Sequence, residues 1–139
     1  RNAELSPNGQ WLAYEADLSG SYEIYVSPFS TVNGSRRLVS TSGGSRPIWS
    51  RDGKELLFLA PNPRRLMSVA VTINGSQIQL SPPRLVMNWP YPTQGDGRSY
   101  DVAAAGDRIL ALKTIASGPR QITLVQNWAE ELRRLVPTK

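Results

Sequence analysis

Glu4 and Asp101 stand one residue before Leu5 and Val102, at matching points of a recurring sequence pattern. Carboxylate oxygens are the ligands that hard divalent cations prefer. With the side-chain amide of Asn2 they would form an oxygen-rich set suited to calcium or a similar ion. A cation held there would polarise a phosphoryl or carbonyl group and activate a water molecule. Arg46 and Arg98 supply a second reading of the same residues. They would pair with Glu4 and Asp101, or the carboxylates would simply be solvated. Arg46, Arg98 and Tyr100 are also the polar groups that a small-molecule or peptide ligand would meet. Trp89 and Tyr91 belong to a long loop, 89–97, and offer aromatic faces on which such a ligand would stack. The same loop serves equally as a plain connector.

Several chemistries are excluded. None of the 139 residues is His or Cys. Disulfides, thiolate nucleophiles and imidazole bases or ligands are therefore ruled out. Ser6, Ser50 and Ser99 have no His to activate them and occupy no Gly-x-Ser-x-Gly elbow. Asp17, Asp52 and Asp107 read as turn and loop residues. Lys plus Arg number 16 against 11 Asp plus Glu, a net charge of +5. The basic residues are scattered, with no run longer than the pairs Arg36-Arg37, Arg64-Arg65 and Arg133-Arg134. Nucleic-acid binding calls for clustering on one face, so none is expected. No apolar run nears the ~20 residues of a membrane span.

The elements that must position these residues are short strands. Gly and Pro number 11 each, which breaks the chain into short segments. Leu5-Ser6-Pro7-Asn8-Gly9, Trp49-Ser50-Arg51-Asp52-Gly53 and the weaker Val102-Ala103-Ala104-Ala105-Gly106 share one pattern. Their glycines are 44 and 53 residues apart, a range that includes propeller blades. Asn-Gly and Asp-Gly suit hairpin turns that need positive φ, and apolar strands flank them. Further strands follow at Tyr22–Val26, Leu66–Val71 and Gln121–Val125, then outer strands at Arg37–Ser40 and Arg84–Met87. Asn74-Gly75 adds a turn before the second outer strand. The pattern predicts an all-β fold: a β-propeller of four-stranded antiparallel blades, three per chain, spanning 1–127. An unclosed sandwich or barrel is the alternative. Asn127 and Glu130 open a helix signature, with Trp128, Leu132 and Leu135 on one face. A short C-terminal helix and tail, 128–139, is therefore expected to cover an edge or the propeller base.

The Leu5–Gly9 and Trp49–Gly53 segments are each followed by an apolar strand and then by Ile24-Tyr25-Val26 or Met67-Ser68-Val69. In this they resemble the TolB-like, WD-repeat-like bacterial β-propeller repeats. The end of the chain, from Val125 to Pro137, looks like the C-terminal end of bacterial propellers, some of which follow a serine/threonine kinase domain. This chain has no kinase motif. The resemblance implies a soluble bacterial ring of about six blades used mainly for binding, in the cytoplasm or the periplasm.

Three blades are half of six. Repeat units need neighbours to bury their faces, so the expectation is a homodimer closing one ring head to tail. The rival is a piece of a longer propeller. In a two-fold ring Glu4 and Asp101 would each appear twice around the axis. The leading expectation for function is a binding or scaffolding module. The alternative is a metal-assisted hydrolase of esters, lactones or phosphotriesters at the central channel.

Overall fold

The computed structural model describes residues 1–112, apart from 19, 32, 33, 94, 96 and 104–107. Three antiparallel sheets follow one another along the chain. The first joins β1 (Glu4–Leu5), β2 (Trp11–Asp17), β3 (Tyr22–Pro28) and β4 (Arg37–Leu38) in that order. A single 3₁₀ turn, Phe29–Thr31, lies between β3 and β4. The second sheet joins β5 (Ser45–Trp49), β6 (Glu55–Ala60), β7 (Arg65–Asn74) and β8 (Gln77–Leu80), with β9 (Arg84–Asn88) also on β7. The third pairs β10 (Tyr100–Val102) with β11 (Ile109–Ala111).

The predicted turns at Asn8-Gly9 and Asp52-Gly53 form and are built alike. Gly9 and Gly53 take φ of 72° and 69°, where a Cβ would be strained. The Ser6 hydroxyl donates to Asn8 Oδ1 at 2.7 Å, and the Ser50 hydroxyl donates to Asp52 Oδ1 at 2.7 Å. Each serine oxygen then accepts the backbone N–H five residues on, from Trp11 and from Glu55, both at 2.9 Å. These hydroxyls therefore clamp turns. The third hairpin closes in the same register: Ala103 N–H donates to the Arg108 carbonyl at 2.9 Å, where Ser50 N–H donates to Glu55.

The second sheet departs from the four-strand expectation. β7 is ten residues long. β9 covers its near half, Arg65–Ser68, and β8 covers its far half, Val71–Asn74. The Asn74-Gly75 turn thus returns directly into a strand of its own, because the far half of β7 would otherwise present an unpaired edge.

The sheets stack through two cores. Trp11, Ala13, Ile24 and Val26 of the first sheet pack with Leu56, Phe58 and others of the second. Ile48, Leu57, Leu59 and Leu66 of the second pack with Tyr100 of the third and with Trp89. β6 is therefore apolar and buried on both faces, from Leu56 to Ala60. β2, in the first sheet, alternates buried and half-buried residues, as a strand with one covered face does.

The coarse expectation, all-β with antiparallel sheets in meander order, is what the structure has. Among the described residues the sheets stack without closing on themselves. The expected strand Gln121–Val125, the helix and tail 128–139 and the 127/128 boundary all lie outside the described residues.

Candidate functional site

The first strands of the three sheets, β1, β5 and β10, are tied together by side chains. Trp49 Nε1 donates to the Glu4 carbonyl at 3.1 Å. Arg98 forms an ion pair with the Glu4 carboxylate. Arg46 donates from Nε to the Gly97 carbonyl at 2.7 Å and from Nη2 to the Gly95 carbonyl at 2.6 Å. The Tyr100 hydroxyl donates to the Arg46 carbonyl at 2.6 Å. Burial pushes the Tyr100 phenol far above its ordinary range, so it acts as a fixed donor and not as a base.

An open cleft of about 400 Å³ runs along these strands, bordered by Glu4, Leu5, Trp49, Arg51 and Asp101 among others. Asp101 is exposed, and its Oδ1 accepts the Val102 N–H at 2.8 Å. Of the two charge readings open in the sequence, Glu4 with Arg98 is an ion pair. Arg46 instead holds loop carbonyls, and Asp101 faces the cleft.

Asn2 is drawn elsewhere, to a residue that the sequence reading did not single out. Glu15 is a charged residue at 2% exposure, on the core face of β2 with Trp11 and Ala13. Its carboxylate accepts from Asn2 Nδ2 at 2.6 Å, from Arg1 Nε at 2.9 Å and from the Arg46 backbone N–H. Asn2 and Arg46 occupy matching repeat positions, three residues before Leu5 and Trp49. Both take the left-handed backbone, with φ of 47° and 55°, an uncommon conformation for residues other than glycine. At Arg46 this coincides with a register irregularity in β5 between Ser45 and Ile48. Glu15 thus pins the start of two successive repeats. Its signal in the sequence is a carboxylate placed in phase with the apolar face of an alternating strand.

The trio expected to hold a cation is divided among these partners: Asn2 on Glu15, Glu4 on Arg98, and Asp101 at the cleft. Among the described residues no three His, Cys, Asp or Glu side chains gather as a ligand set.

Trp89, expected as a stacking platform at the mouth, lies in the interior. It is 4% exposed, with Tyr91 and Tyr100 edge-on to its ring at centroid distances of 5.1 and 5.3 Å. An indole of this size, next to an apolar sheet face at Leu57 and Leu59, is buried by the area it removes from water. Tyr91 is half-buried against it.

The fold and the site define an all-β protein of stacked antiparallel repeats, with a polar seam along the first strand of each. No protein-family model matches the sequence, and no curated protein matches it.

Proposed function

We propose that this chain is a three-unit section of a β-propeller that works as a binding module, and that a second copy completes a six-unit ring. One observation carries the reading: the same repeat positions are buried wherever a further sheet follows. Ala13 and Glu15 on the face of β2 toward the second sheet, and their counterparts Leu57 and Leu59 on the face of β6 toward the third, are all buried. Blades of a propeller bury one another in this serial way. The polar seam then runs along the inner strands, and its cleft, with Asp101, Arg51 and the Glu4–Arg98 pair, is the mouth for a peptide or small-molecule ligand. The hydrolase alternative draws on nothing comparable, since Arg98 already neutralises Glu4.

Sedimentation equilibrium tests the assembly. The expected mass is twice the 15.3 kDa of the chain. A chain that stays monomeric across the micromolar range overturns the two-copy ring. The mouth is tested by thermal-shift screening against peptide and small-molecule panels. A hit that Asp101→Asn abolishes without loss of stability supports it, and a hit indifferent to Asp101→Asn and Arg98→Ala removes it.

A further inference from the structure

We infer that the two copies meet by setting the outer face of the first sheet on the outer face of the third, head to tail at both seams. The inference rests on the two-copy ring above and specifies its seam. Counting from the turn glycine fixes the equivalences. Leu12 matches Leu56 and Tyr14 matches Phe58, while Leu110 matches Leu57 and Leu112 matches Leu59. Within the chain, each of these second-sheet residues is buried, at 5% exposure or less. Among the described residues, their counterparts on the end sheets are more exposed. Leu110 and Leu112 are 69% and 64% exposed, and Leu12 and Tyr14 are half-buried. Leu5, at 43%, matches Trp49, which is 5% exposed. One end therefore presents the face that a third sheet covers inside the chain, and the other presents the face that a first sheet covers.

The complement of each end is present on a second copy, in the order of faces the chain already uses twice. A first-on-first pairing fits less well. Arg36 lies over the Tyr25 ring on that face, 5.8 Å from its centroid, so two copies would bring like charges into one seam. The third sheet brings the exposed apolar side chains of Leu110 and Leu112 instead. Inside the chain, Trp49 reaches the Glu4 carbonyl. The same step across the seam brings Leu5 of one copy to Asp101 of the other.

The natural absence of cysteine gives a clean test. Chains carrying Leu5→Cys and chains carrying Asp101→Cys are treated with a short bis-maleimide, separately and mixed. Both sites are exposed, so neither substitution disturbs a core. Head-to-tail seams yield a cross-linked pair in the mixture and none from either variant alone. Cross-linking of Leu5→Cys with itself overturns the inference in favour of a first-on-first seam. As a second measurement, Leu110→Arg is expected to raise the dimer dissociation constant about 30-fold or more; an unchanged constant overturns the inference. A stable dimer that fails both measurements sinks this seam and leaves the two-copy assembly standing, whereas a monomer sinks both.

Discussion

Phe58 and Tyr14 occupy the same place in two successive repeats, so truncating each isolates what a covering sheet contributes. Phe58 is 1% exposed, enclosed between β6 and the first sheet. Phe58→Ala removes a ring whose transfer from water is worth about 1.5–3 kcal/mol. It also leaves a cavity that packed neighbours fill only partly, for a total loss of about 3–5 kcal/mol. That is a large share of the roughly 5–15 kcal/mol by which a domain is stable. Tyr14 keeps one side open to solvent. It stacks on Tyr25 at a centroid distance of 6.0 Å and shares a 3.2 Å hydrogen bond with Ser27. Tyr14→Ala opens no enclosed cavity and forfeits about half the transfer term, roughly 0.75–1.5 kcal/mol. Urea unfolding, at a dilution where the chain is monomeric, reads both from the shift in midpoint at constant m. The expected gap is about 2 kcal/mol or more. Equal losses would refute serial burial, because repeat position alone would then set the cost.

Further outcomes follow from single contacts. Glu15→Leu leaves the Asn2 amide and the Arg46 N–H without their acceptor in a buried place and is expected to cost roughly 3 kcal/mol by chemical denaturation; a neutral result would show that the carboxylate does not pin the repeats. Gly44→Ala would set a Cβ 2.7 Å from Ile24 Cγ1 and 2.9 Å from Ser40 Cβ, so a melting-temperature drop of several degrees is expected, and an unchanged melt would contradict that close approach. Asp52 has its carboxyl held below the ordinary 3.8 by the Ser50 hydroxyl and then the Lys54 N–H. A lowered folded-state pKa stabilises fully above the unfolded value and is lost as pH falls from there through the folded value. Asp52→Asn, which copies the Asn8 turn, should flatten that acid-side slope while leaving neutral stability near wild type; a pH–stability curve with the slope intact would argue against it.

The turns were legible because their chemistry is local. Asn8-Gly9 and Asp52-Gly53 name a positive φ within two residues, and that is where the glycines lie. The strand order followed, since short links between apolar runs leave a meander as the simplest pairing. What stayed hidden was decided by residues distant in sequence. Glu15 reads as an ordinary strand carboxylate until Asn2 and Arg46 fold over it. Trp89 reads as a loop aromatic until Tyr100 closes against it. The Gln77–Leu80 run gives little apolar signal, with Ile78 its one buried residue, and it becomes a strand because β7 outruns β9.

The two-sided burial of β6 also bears on the order in which the chain opens. The two apolar cores join each sheet only to its neighbours, so packing stability is summed along a line, and loss of an end sheet removes one core interface where loss of the middle removes two. Opening should therefore begin at β1–β4 or at β10–β11 and reach β6 last. Amide exchange would be slowest at Leu57 and Phe58, and early proteolytic cuts would fall in the end sheets.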